Sequence, residues 1–372
     1  MRKGRLHSVI VLAFAVVACR GDGSGVSLET GAPLVVIPSS SASSSPTPAP
    51  VPAPVPASPM SDMPFIDIAK IPSPEVGFSE SRIKVDLPYH PKPTQNTDGT
   101  GQFRITCTFS HMSFNDPIVY PGKQGAAHLH AFFGNTAIDH NSTQKSIEET
   151  GNSTCTGGTA NRTGYWVPAI IDTKDGTPLK PSKIIVYYKT SYIINNNVKP
   201  FPAGLRMIAG DMKSSAPQAN MAWSCQAPPP GEYRNYTSIP KDCPVGWIVE
   251  AEINFPFCWD GVNLDSPDHK SHMSYPVQLQ SPPWTWNCPT SHPVELPVIS
   301  EKIQYVVTEA GSTSRWRLSS DNYTKDLPGG YSTHADWFNG WDPKVQDIWM
   351  KNCLLAKRDC HTSLLGDGTT LF

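Results

Sequence analysis

The chain has 372 residues, a formal net charge of −2 and 38 prolines. Near-neutral charge without a basic stripe argues against nucleic acid as a partner, because phosphate binding needs clustered Lys and Arg. Beyond one N-terminal apolar run, no stretch approaches the ~20 residues of a bilayer-spanning helix, so membrane attachment, if any, has to come from a lipid.

That N-terminal run is the first predicted element. "MRKGRLHS" is basic and "VIVLAFAVVA" is apolar but short, the pattern of an export signal over Met1 to Ala18. Cys19 follows in "VVAC", which fits a bacterial lipobox whose cysteine is lipidated and becomes the mature N-terminus. Ordinary cleavage after Ala18 is the competing reading and would leave the protein secreted rather than anchored at the cell surface. Residues 19–77 are then the lipidated cysteine and a linker, since "PSSSASSSPTPAPVPAPVPASP" carries almost no side chain that could build a core. Of nine cysteines, eight remain once Cys19 is set aside, an even set that reads as a disulfide framework in an exported chain. Order alone does not give the connectivity; Cys107–Cys155, Cys225–Cys243, Cys258–Cys288 and Cys353–Cys360 are pairings the spacing allows. No CxxC occurs, which argues against a zinc–thiolate site.

Residues 78–372 read as one globular domain, because no low-complexity break divides them. "FRITCTF", "SKIIVYYKTSYII", "GWIVEAEINF" and "KIQYVVTEA" are β-branched, aromatic or alternating, and Pro/Gly turn signals separate them. One helix is predicted, in "DPKVQDIWMKNCLLAK", where Val345, Ile348, Trp349, Cys353 and Leu354 fall near helical spacing after an Asp-Pro start. The expected fold is mainly β: a single β-sandwich, jelly-roll-like, with long disulfide-tied loops and a C-terminal helix.

Three segments concentrate groups capable of chemistry. In "YPGKQGAAHLHAFFGN", His128 and His130 are two apart, so on a strand both imidazoles face one way. In "CWDGVNLDSPDHKSH", Asp260, Asn263, Asp265 and Asp268 offer oxygen ligands, although the spacing is not that of an EF-hand. His269 and His272 in the same stretch are three apart and would share a face of a short helix started by Ser266-Pro267-Asp268. In "YSTHADWFNGWD", His334 and Asp336 alternate ahead of Asn339 and Asp342, among Trp337, Phe338 and Trp341. Aromatic rings beside amides and carboxylates suit sugar binding, while the same rings serve equally as core.

The order "DPIVYPGKQGAAHLHAFFGN", "PFPAGLRMIAGD", "FPFCWDGVNLDSPDHKSHMSYP", "CPTSHPVELPVI", "STHADWFNGWD" resembles the secreted domain-of-unknown-function family numbered nineteen ninety-six, over about residues 100–360. The resemblance implies an extracellular protein of a family with no settled activity, found in fungi, often beside carbohydrate-binding modules, and in bacteria. Its motif positions correspond here to His128, His130, Asp260, Asn263, Asp265, Asp268, His269, His272, His334, Asp336, Asn339 and Asp342.

A hydrophobic core has little reason to collect so many polar groups, since each costs free energy unless paired, so the three segments are expected to converge on one cleft. His128, His130 and His272 are the expected metal ligands for a divalent ion. Together with His334, Asp268 and Asp336 they form the catalytic candidates, a carboxylate acting as base or fixing a histidine tautomer. Asn263, Asp265, His269, Trp337, Asn339, Trp341 and Asp342 are the substrate-binding candidates. The expected function is that of a carbohydrate-active hydrolase or lyase on polysaccharide or cell-wall glycan, with Arg206 or Lys270 available to neutralise a uronate in the lyase case. A non-catalytic cell-surface module binding carbohydrate or protein, and a metal-binding or redox protein, are the alternatives.

Overall fold

The computed structural model describes residues 62–87, 92–190, 197–228, 231–278 and 286–372. The predicted signal, Cys19 and most of the linker lie outside the described residues. Residues 62–77, read from composition as the end of the linker, instead run along the domain. Asp67 N bonds Gly176 O, Glu75 N bonds Ser110 O, and Ile66 and Ile71 pack on the core.

Two antiparallel-dominated sheets share one apolar core. The larger has eight strands, in spatial order Tyr233–Tyr236, Met221–Gln226, Ile248–Asn254, Val298–Val306, Lys183–Lys189, Gln102–Cys107, Arg358–Thr362 and Thr94–Gln95. Its sequence alternation is realised as burial alternation: Lys183–Lys189 buries Ile184, Val186 and Tyr188 and turns the residues between them outward. The smaller sheet has five strands, in the order Arg206–Gly210, His334–Phe338, Gly164–Pro168, His130–Gly134 and Phe109–Ser113. The sheets meet through Phe103, Ile184 and Val186 on one side and Ala131, Phe133, Tyr165 and Trp337 on the other. Tyr165 and Tyr188 join across this core, hydroxyl to hydroxyl, at 2.7 Å. Unlike the large sheet, the small one is buried on both faces. A second apolar cluster of Phe132, Trp166, Ile208 and Phe338 covers its outer face, roofed by Ile118, Ile138 and Ile147.

The helix near the C-terminus forms as predicted. Asp342 caps it by accepting from Lys344 N and Val345 N, Pro343 occupies the first turn, and Pro343–Trp349 continues as a wider turn over Met350–Leu354. All four cysteine pairs are disulfides: Cys107–Cys155, Cys225–Cys243, Cys258–Cys288 and Cys353–Cys360. Among the described residues, no helix is long and apolar enough to cross a membrane.

One core position conflicts with its surroundings. Glu301 stands opposite Val186 and Ile253, is 0% exposed, and neither carboxylate oxygen has a hydrogen-bond partner among the described residues. Burial pushes its pKa well above the ordinary carboxylate value. The folded protein therefore keeps Glu301 protonated where the unfolded chain ionises, so this residue's contribution to stability is complete below about pH 4.5 and declines as pH rises. A Glu301→Gln variant should gain on the wild type by up to roughly 1.4 kcal/mol per pH unit above that point until the folded pKa is reached. Unfolding curves of both proteins from pH 4 to 8 measure the gap; a gap that does not widen with pH would show that Glu301 ionises freely in the fold.

Candidate metal centre

Period-2 geometry and strand register assemble the centre on the outer face of the five-stranded sheet. Phe132 lies opposite Trp166, which lies opposite Asp336, which lies opposite Ile208; one step along, His130 faces Pro168 and His334 faces Gly210. His130, His334 and Asp336 thus project away from the large sheet, while Ala131, Ala335 and Trp337 between them enter the main core. Gly210 adopts φ +87°, and a Cβ there would come within 2.5 Å of Thr333 O and 3.0 Å of His334 Cα, so the close pairing beside His334 depends on glycine. His128, two residues before its strand and half-buried, turns back onto the same spot.

The three imidazoles form a tight set. His128 Nε2 is 3.1 Å from His334 Nε2, and the His128 ring centroid is 4.2 Å from that of His130. His334 Nδ1 lies 2.8 Å from Ser332 O and His130 Nδ1 lies 3.2 Å from Asn115 O. A carbonyl only accepts, so both Nδ1 atoms carry the proton and both Nε2 atoms present a lone pair. His128 Nε2 can donate to that of His334, but the Nε2 of His130 is buried without a partner among the described residues. An unpaired buried acceptor costs free energy, and here it points among ligand-capable atoms.

Two buried carboxylates adjoin this set. Ligand atoms of Asp116, His130 and Asp336 lie within 4.8 Å of one another, as do those of His128, His130 and His334. Asp116 is anchored by accepting from Ile118 N at 2.8 Å and Val119 N at 2.9 Å, whereas Asp336 Oδ2 is buried without a partner. Burial drives the imidazoles away from their cationic forms, His130 to about 3 and His334 to about 4, with His128 well below its ordinary value. Burial likewise raises Asp116, and raises Asp336 well above the carboxylate range, with the neighbouring Asp116 adding to the latter. Every member is therefore held toward neutrality: imidazoles offering Nε2 lone pairs beside carboxyls with no ion pair among the described residues. Such N/O donors, with ring N–H groups tied to backbone carbonyls, fit a divalent transition-series ion.

The segment 258–272 reaches only the rim. Residues 260–272 form turns rather than the expected short helix, and His269 sits at φ 60°, a left-handed backbone uncommon for a side chain of its size. His272 is buried with both nitrogens committed, Nδ1 3.0 Å from Ser266 Oγ and Nε2 2.7 Å from Arg206 O. It does not join the other two predicted ligands; His334 stands where His272 was expected. Asp268 is an exposed turn cap, its carboxyl held well below the usual range by bonds from the Ser271 N–H, the Ser266 and Ser271 hydroxyls and the Lys270 N–H. Asp260 plays the same part for Val262 N and Asn263 N, and Asn263 spends its amide on Asp260.

Asp265 links His269 Nδ1 at 3.0 Å to Arg206 at 3.2 Å, and the Arg206 guanidinium covers the Phe338 ring at 4.6 Å. His269 is near enough for its charge to lower Asp116, and Lys270, whose ammonium donates to Gly210 O at 2.6 Å, acts on His334 and Asp336. Trp337 and Trp341 lie in the core, the first against Phe201 at 4.7 Å between centroids, so neither ring can meet a sugar. Asn339 is buried, donating to Pro202 O, and Asp342 caps the helix.

Sequence reasoning passed over Asp116, whose place at the head of "DPIVYPGKQGAAHLHAFFGN" was the available signal, and the carbonyl partners at Asn115 and Ser332, for which no signal exists. The molecule is thus a disulfide-tied β-sandwich with a buried His/Asp cluster on its small sheet. A family model described as a domain of unknown function (DUF1996) matches residues 116–341, and the chain belongs to that family. No curated protein and no solved structure matches it.

Proposed function

We propose that the protein binds one divalent metal ion through His128, His130 and His334, with Asp336 or Asp116 completing or flanking the ligand set, and acts with it on extracellular polysaccharide as a hydrolase or lyase. The observation that carries the metal assignment is the orphaned, buried Nε2 of His130 beside two further imidazole nitrogens, in a ring whose other nitrogen is tied to a backbone carbonyl. A bound divalent ion supplies Lewis acidity toward a substrate oxygen and neutralises charge developing there. His128 is the member at the surface, so substrate approaches past it. Lys270 and the Asp265–Arg206–His269 group at the rim supply donors, acceptors and positive charge for an anionic or hydroxyl-rich substrate.

The polysaccharide reading is supported by the export pattern of the N-terminus and the polar rim. In the same reading Cys19 carries the lipid and residues 20–61 supply reach. The burial of His130, His334 and Asp336, all at 1% exposure or less, favours a second reading, in which the ion is held for stability and the surface only binds glycan.

Metal analysis of chelator-stripped protein reloaded with Zn²⁺, Mn²⁺ or Cu²⁺ tests the assignment. One ion per chain is expected, lost in His334→Ala and retained in His272→Ala; no uptake of any of the three ions would remove the metal reading. Loaded and stripped protein on a polysaccharide panel, followed by new reducing ends and by ultraviolet absorbance of unsaturated uronates, then separates enzyme from binder.

A further inference from the structure

The outer face of the large sheet carries a groove that uses none of the residues of the metal centre or its rim. It encloses about 550 Å³, within the range of roughly 300–1,000 Å³ typical of small-ligand sites. Strand register builds its floor: Ser300 lies opposite Asn254, and Val298 opposite Lys189. The chain leaving Asn254 forms the walls, with Phe257, Tyr275 and Trp286. Tyr275 donates its hydroxyl to Asn254 O at 2.8 Å, which fixes that ring, and Trp286 is 49% exposed.

The polar groups of the floor are arranged to donate. Asn254 Oδ1 already accepts from Ser300 Oγ at 2.5 Å, and its amide nitrogen, without a hydrogen bond among the described residues, is left for a ligand. Lys189 is half-buried, with its ammonium 4.8 Å from the Tyr187 ring centroid, and it has no ion pair among the described residues. The neighbouring acids are ion-paired elsewhere, with Lys302 3.5 Å from Glu250 and 2.9 Å from Glu252, so Glu252 reaches Lys189 only through its field, which the Lys302 and Arg104 charges oppose. Desolvation weakens the Lys189 ammonium further. A partly dehydrated cation with no ion pair among the described residues, next to flat aromatic walls and an amide donor, asks for a ligand with an anionic group, a ring face of C–H bonds and hydroxyls.

We infer that this groove binds an acidic sugar residue, a uronate within an oligosaccharide, with its carboxylate on Lys189, its hydroxyls on Asn254 and its ring face on Trp286. The site shares with the proposed function only the expectation of an extracellular glycan. It contains no residue of the His/Asp cluster, so it stands or fails independently of the metal.

Calorimetric titration of the full chain with oligogalacturonate and with the matching neutral galacto-oligosaccharide tests it. The acidic oligomer should bind saturably and more tightly than the neutral one, with affinity falling as salt rises. Trp286→Ala should weaken binding at least ~10-fold, the loss of one stacking ring. Lys189→Met should erase the preference for the acidic oligomer and the salt dependence, while Lys189→Arg keeps both. Metal-stripped protein should bind as well as loaded protein, so that loss of the metal reading and loss of this one are told apart. No saturable binding of the uronate oligomer, equal affinity for the neutral one, or unchanged binding in Trp286→Ala and Lys189→Met would each overturn the assignment.

Discussion

His130→Leu should abolish metal binding while leaving the metal-free fold nearly as stable as the wild type. The expected loss of affinity exceeds the ~10–100-fold that removal of a supporting residue costs, because His130 belongs to both ligand groups. The small stability change follows from the present state of the side chain. His130 makes one long contact to Asn115 O and buries an unpaired Nε2, so replacing it by an apolar side chain exchanges one unsatisfied group for another. His272→Ala should behave in the opposite way, keeping the ion and losing roughly 1–3 kcal/mol, since Arg206 O would lose the ring donor in a buried setting while Ser266 Oγ keeps only its bond to Asp268. Metal titration and denaturant unfolding of both variants read out the two axes. A His130→Leu protein that unfolds as easily as His272→Ala and still takes up metal would mean that His130 is merely structural.

The second large effect concerns the cross-link that closes the segment bearing Asp116, His128 and His130. Cys107 and Cys155 are 48 residues apart, and releasing a loop of that length frees about 4 kcal/mol of unfolded-state entropy. Cys353 and Cys360, only 7 residues apart, should be worth about 2 kcal/mol on the same argument. All four cysteines are fully buried, so cavity effects largely cancel in the comparison of the two double Cys→Ala variants. Unfolding free energies extrapolated to zero denaturant, with the slope fitted for each variant because a freed loop expands the unfolded chain, measure the difference. Equal losses from both variants would show that native-state packing, rather than loop closure, sets the contribution of these bonds.

Local patterns carried much of this protein on their own. The alternation in Lys183–Lys189 and Gln102–Cys107, the Asp-Pro start of the last helix and the even cysteine set all act over a few residues or through one compartment-wide condition, so they can be read from the chain. His128-x-His130 and His334-x-Asp336 were legible for the same reason, since a strand's two-residue period places such pairs on one face. Register and burial decided the rest. Which face of the small sheet turns outward, that His334 rather than His272 meets His130, and that Asp116 stands beside Asp336 depend on pairings between strands more than a hundred residues apart. Trp337 and Trp341 went to the core because the position beside His334-x-Asp336 that faces the large sheet has to be filled with apolar volume. His272 was drawn to Ser266 and Arg206 O by the turn that precedes it, and no spacing rule encodes that contact. The sequence by itself determined the principal strands, the last helix and which side chains share a face of a strand. Only the tertiary structure decided which faces meet, because long-range pairing is selected by the total packing of the two sheets and not by any local stretch.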